Sequence, residues 1–168
     1  HSVRIANNKL TTPNKMHFRL SIFTRGGVET DMSNSFVELP AGTCNEYGYL
    51  NNTIDEVRKN EGLFLSLLLS DIVTGELVDD NLYWLPDSTG SYPLLTDMPK
   101  AHIAATATQV KNGVAEVTIS APQNGQIAFF NRISVVDAGT KKRRLPAFSN
   151  NNYISGLPGN KETIQITF

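Results

Sequence analysis

The chain has 168 residues, 40% of them hydrophobic, with 15 Lys+Arg against 16 Asp+Glu for a formal net charge of -1. The apolar share supports a packed core and excludes a disordered chain. The charge balance supplies no counterion-release drive toward nucleic acid or anionic lipid, so neither nucleic acid nor membrane is expected as a partner.

The chain opens on His1-Ser2-Val3-Arg4-Ile5, without the apolar stretch of a signal peptide, and passes directly into strand-like alternation. An opening of this kind is expected of a piece cut from a longer polypeptide. Met16-His17-Phe18-Arg19-Leu20-Ser21-Ile22 alternates apolar and polar without a fault, as a half-buried strand requires. Arg25-Gly26-Gly27 is a turn signal. Cys44 is the sole cysteine, so no disulfide can form within one chain and cysteine use does not reveal the compartment.

Thr53 and Glu56 stand at capping-box spacing, with Gly62 to follow, which allows one or two helical turns over residues 53–60 or else a polar loop. Residues 63–69 are apolar on both faces, the mark of a central strand, and too few to span a bilayer. Thr74-Gly75 closes that strand, and Asn81-Leu82-Tyr83-Trp84-Leu85 forms the next. From Pro86 to Pro99 three prolines and a glycine break any ladder. The expected division is a sandwich over residues 1–88, a linker over 89–98 and a second sandwich over 99–168.

In the second half, Ala115-Val117-Ile119 and Ile164-Ile166-Phe168 alternate against polar neighbours. Asn112-Gly113, Asn124-Gly125 and Ala138-Gly139 supply turns, and the basic run Lys141-Lys142-Arg143-Arg144 falls at a solvated hairpin tip. Short alternating strands punctuated this way predict an all-β fold of two tandem immunoglobulin-like antiparallel β-sandwiches.

Groups suited to catalysis do not converge in this pattern. The histidines His1, His17 and His102 lack metal-ligand spacing, so no metal or other cofactor is expected. Glu29, Asp31, Glu38, Asp71, Glu76 and Glu116 fall at turns and on solvent faces, not in the apolar setting of a glycosidase pair. No nucleophile elbow, phosphate loop or dinucleotide fingerprint is present. The chain reads as non-catalytic. Tyr83 and Trp84, with Tyr92, form the one aromatic group that suits either sugar stacking or a seam between domains. Asn51-Asn52-Thr53 matches a glycosylation sequon, a pattern frequent by chance.

Two stretches resemble a known family. Gly62-Leu63-Phe64-Leu65-Ser66-Leu67-Leu68-Leu69-Ser70-Asp71, followed by Asn81-Leu82-Tyr83-Trp84-Leu85, resembles the end of the penultimate sandwich in glycoside hydrolase family 2 enzymes of the exo-β-glucosaminidase and β-mannosidase type. Met98-Pro99-Lys100-Ala101, Ala128-Phe129-Phe130-Asn131-Arg132, Leu145-Pro146-Ala147-Phe148-Ser149, Asn151-Asn152-Tyr153 and Leu157-Pro158-Gly159 are similar to the last domain of those enzymes. Asn151 stands where the family has Asp, and Asn160 where it has Glu.

The resemblance implies a modular retaining exo-β-glycosidase, bacterial and periplasmic or secreted. Its two catalytic glutamates would lie on a (β/α)₈ barrel outside this chain. No catalytic residue carries over, and the barrel of the same polypeptide is the implied partner. The competing expectation is a carbohydrate-binding or adhesion module, with oligosaccharide as the partner. Among the motif residues, Asn81 and Asn152 are expected to bond nearby backbone and Pro158-Gly159 to set a tight turn. Phe129 and Phe130 are expected on opposite faces of one strand.

Overall fold

The computed structural model describes residues 2–13, 15–49, 52–108 and 110–168. The chain is nearly all β, antiparallel throughout, and divides into two compact units, His1–Met98 and Pro99–Phe168. His1 and the sequon's Asn51 lie outside the described residues.

In the first unit, β1 (Ser2–Ala6) pairs with β4 (Cys44–Tyr49). β2 (Met16–Phe23), β3 (Glu29–Val37), β5 (Leu63–Asp71) and β6 (Leu77–Leu85) form a sheet in the order β3-β2-β5-β6. The alternation of β2 places Met16, Phe18, Leu20 and Ile22 in one buried cluster with Val3, Leu63, Leu65 and Leu69. β5 is central, flanked by β2 and β6, as its doubly apolar sequence requires. On its other face Phe64 is fully buried, and Ser66 is buried in register with Ser21 of β2.

The helix α1 (Asn52–Arg58) opens one residue before Thr53. It drives Ile54 into the core. Gly62 ends the segment: its N–H donates to the Arg58 carbonyl at 3.1 Å, and its φ of +79 is open to glycine at little cost.

Residues 89–98, expected as a linker, carry structure of their own. α2 (Pro93–Thr96) begins with proline at its first turn, where the missing N–H has no partner to lose. Leu94 is fully buried, and its N–H donates to the Glu61 carbonyl at 3.1 Å. Upstream, Asp87 is buried and accepts from the backbone N–H groups of Thr89 and Ser91 and from the Thr89 hydroxyl. Prolines end the strand here, while polar side chains satisfy the backbone of the loop that follows.

The second unit holds β7 (Ala104–Ala107), β8 (Val114–Ser120), β9 (Ala128–Asn131), β10 (Phe148–Ser149), β11 (Ile154–Gly156) and β12 (Lys161–Thr167). One sheet runs β10-β12-β8-β7 and the other pairs β11 with β9. Ile119, Ile154, Ile164 and Ile166 form a buried cluster between them. The basic run turns back tightly, with Lys141 and Asp137 bonded through their backbones and the Arg144 guanidinium 5.3 Å from the Phe168 ring centroid.

Phe129 and Phe130 do not alternate as a regular strand would. β9 spends three steps from Ala128 to Asn131 where β11 spends two from Gly156 to Ile154, and Phe130 takes φ +56. This bulge brings the two rings to 5.5 Å with planes 30° apart. Phe130 also meets Tyr153, itself at φ +56, at 5.2 Å. Such angles are strained for bulky residues, and hydrogen bonds hold them. The Phe130 N–H donates to Ser155 Oγ, and Asn131 Nδ2 donates to the carbonyls of Ala128 and Ile154.

Candidate functional site

Of the three aromatic residues singled out, two sit on β6 and point apart. Tyr83 is in register with Leu65, a core residue, and Trp84 with Phe64 on the opposite face. They cannot form one flat platform, because adjacent strand residues face opposite ways. Tyr92 precedes α2, in the loop. Tyr83, Trp84 and Tyr92 are 47%, 40% and 43% exposed.

The inner row of β6 is where polar chemistry collects. Asp79, Asn81, Tyr83 and Leu85 stand opposite Leu69, Leu67, Leu65 and Leu63. Side chains in that row should be apolar if the sandwich closed over them. Two strands face four in this unit, however, and β6 is the edge strand of the wider sheet, so Asp79, Asn81 and Tyr83 stay exposed. Between β6 and β1 a groove opens in two adjoining parts. One part, of about 230 Å³, has Asp79, Asp80, Asn81 and Tyr83 on one wall, with Val3 and Ile5 on the other. The other, of about 450 Å³, is lined by Leu65, Tyr83, Leu85 and Pro86, with Arg4 and Arg58. Tyr83, Val3, Arg4 and Leu67 belong to both.

The charges of the groove are not balanced alike. Arg4 lies 3.5 Å from Glu46, and Arg58 lies 2.8 Å from Asp55. Among the described residues neither Asp79 nor Asp80 meets a cation. Burial pushes the Asp80 carboxyl above the ordinary carboxylate range, and the neighbouring Asp79 charge adds to the shift. A glycosidase pair flanks the scissile bond from two sides, whereas these two are adjacent on one strand, whose pleat turns their side chains to opposite faces.

The other acids serve structure. Burial resists ionisation of Glu29, but hydrogen bonds from Ser21 and Arg19 and the guanidinium charge outweigh it and hold its pKa low. Glu38 pairs with Lys15 at 3.4 Å, and Glu116 accepts from Gln165 at 3.2 Å. The Asp71 carboxylate caps its turn by accepting from the N–H groups of Val73 and Thr74. Among the described residues no group of three or more His, Cys, Asp or Glu side chains is placed to hold a metal.

The motif asparagines divide. Asn152 Oδ1 accepts from the Ile133 and Tyr153 N–H groups, and its Nδ2 donates to the Ile133 carbonyl, so it clamps backbone as expected. Asn81 is exposed in the groove. Sequence reasoning passed over Asp79 and Asp80. The signal was the alternation of Asp79, Asn81 and Tyr83, which sets polar residues on the face that β5 fills with leucine.

A family model described as the exo-β-D-glucosaminidase Ig-fold domain matches residues 81–168, taking in the end of β6, the α2 segment and the whole second unit. Among solved structures, an exo-chitosanase from Amycolatopsis orientalis matches with a TM-score of 0.81 at 21% identity, covering 100% of this chain and 22% of its own. A β-D-mannosidase from Dictyoglomus thermophilum matches with a TM-score of 0.69 at 15% identity, covering 99% of this chain and 18% of its own. This chain therefore spans about a fifth of the length of such structures. No curated protein sequence matches it.

Proposed function

Because this chain belongs to the exo-β-D-glucosaminidase Ig-fold domain family, we propose that it is the non-catalytic accessory region of a modular exo-β-glycosidase that acts on amino sugars. The observation that carries this reading is the family match over residues 81–168, joined to a fold likeness that runs the length of the chain. The amino-sugar specificity is favoured over a mannoside by the family description and by the higher TM-score of the exo-chitosanase. The role accords with the residues: Glu29 and Glu38 pair with cations, Asp71, Asp87 and Asp137 cap turns, and Asp79 and Asp80 cannot flank a bond. Its partner in this reading is a catalytic domain of the same polypeptide, which the two sandwiches support by packing. We place their boundary at residues 98 and 99, with the α2 segment in the first, on the strength of buried Leu94 and its bond to Glu61.

The test is hydrolysis of nitrophenyl β-glucosaminide and β-mannoside by the purified 168-residue chain. No turnover above the uncatalysed rate is expected. Turnover that a single Asp or Glu substitution abolishes would overturn the reading.

A further inference from the structure

We propose that the groove between β6 and β1 is a binding lane for a short cationic amino-sugar oligomer, with Tyr83 as the stacking ring and Asp79 as the counter-charge for a sugar amine. The proposal rests on the amino-sugar reading above for the identity of the ligand, and on the geometry of the groove for its place.

Four features of the groove fit that ligand together. Tyr83 is about half exposed and lies on the inner row of β6, so one side of its ring is free to face the groove. Sugar rings present an apolar face of axial C–H groups, which an aromatic ring covers while the hydroxyls stay wet. From Tyr83 to Asp79 is four residues of strand, about 13 Å at the usual rise, a span suited to a disaccharide or trisaccharide. Asn81, midway along it, offers an amide that both donates and accepts, as hydroxyl groups require.

Charge decides between a neutral and a cationic sugar. The groove's two arginines are paired with Glu46 and Asp55, so their charge is largely spent inside the protein. Asp79 meets no cation among the described residues, so its charge is left for a ligand at that end of the lane. A sugar ammonium placed there gains its attraction. The simpler role for inward acids on an edge strand is to block pairing with a foreign strand. That role does not explain an aromatic ring and an amide aligned with Asp79 along an open groove.

The test is a titration of the 168-residue chain with a glucosamine tetramer, followed through Trp84. It is the only tryptophan and the immediate neighbour of Tyr83. Mildly acidic, low-salt buffer keeps the amines charged. Saturable binding is expected, at least about tenfold weaker for the N-acetylated tetramer, which has lost its charge. Asp79→Asn should weaken binding about fivefold or more, as should Tyr83→Ala, whereas Tyr83→Phe keeps the ring and should bind as the parent does. Circular dichroism confirms that each variant is folded. Equal affinity for the acetylated oligomer, equal affinity for a lysine tetramer, absence of saturation, or unchanged binding by the folded Asp79→Asn variant would each overturn the proposal. Binding is read without reference to hydrolysis. Loss of the glycosidase reading would therefore leave a positive titration standing, and a negative titration would leave the accessory role untouched.

Discussion

Gly62→Ala should be among the most damaging single-atom-scale changes in the first unit. At φ +79 an alanine carries a left-handed penalty of about 1–2 kcal/mol. The added Cβ would also collide with the Leu85 carbonyl oxygen and with Leu94 Cδ2. The backbone oxygen of β6 cannot yield easily, so Leu94 and α2 must shift, and partial exposure of a fully buried leucine forfeits up to about 2 kcal/mol more. The sum is about 3 kcal/mol, which lowers the melting temperature of a unit of this size by about 12 °C or more. Trp84 fluorescence reports that unit alone, because it holds the only tryptophan. Leu94→Ala by itself should cost about 2–5 kcal/mol. If the two residues act through one contact, the double variant must cost less than the sum by about 1 kcal/mol, since deleting Leu94 Cδ2 removes part of the collision. A Gly62→Ala protein within about 0.5 kcal/mol of the parent, or strict additivity, would refute the seating of Leu94 beside Gly62.

Asn152→Ala should cost about 1–3 kcal/mol in the second unit by leaving the Ile133 N–H and carbonyl without partners, measured by urea unfolding. Asn152→Asp should recover part of that loss, because it keeps the acceptor and gives up only the donor. Acid should destabilise both units through Asp87 and Asp137. The Thr89 hydroxyl holds the Asp87 carboxyl below its ordinary range, with the backbone of Ser91 and Thr89 helping against some burial. The Thr140 N–H and hydroxyl do the same for Asp137. A folded pKa below the unfolded one gives stability that is full above about pH 4 and is lost as pH falls through the lower folded value. Denaturation midpoints should therefore drop from about pH 4 downward, and the drop should shrink in Asp87→Asn and Asp137→Asn.

What the sequence revealed depended on how local the controlling physics was. The fault-free alternation of β2 and the doubly apolar β5 needed only the strand period: β2 lends one row of apolar residues to the core, and β5 took its expected central place. Asn152 was legible because a short amide beside a turn has few uses other than bonding backbone. The α2 segment was harder to read. Its prolines marked a break, while the burial of Leu94 depends on the approach of Gly62, thirty-two residues earlier. The bulge at Phe130 left no mark in composition either, since it arises from a mismatch in pairing with β11. Tyr83 and Trp84 looked like a cluster because they are neighbours, and the pleat that separates them is the same rule that aligns Tyr83 with Asn81 and Asp79. Which face of an edge strand stays open is set by the strand count of the opposing sheet, a property of the whole fold.

The accessory role is tested most directly in the natural polypeptide that carries this chain, assayed with and without residues 1–168. Initial rates on nitrophenyl β-glucosaminide and β-mannoside, taken together with the melting temperature, give the answer in one experiment. The intact protein should hydrolyse the glucosaminide faster than the mannoside, and removal of this chain should lower both melting temperature and activity, since a catalytic domain would lose the surface that packs on it. An intact protein without glycosidase activity, or a truncated one that keeps full rate and full stability, would contradict the account.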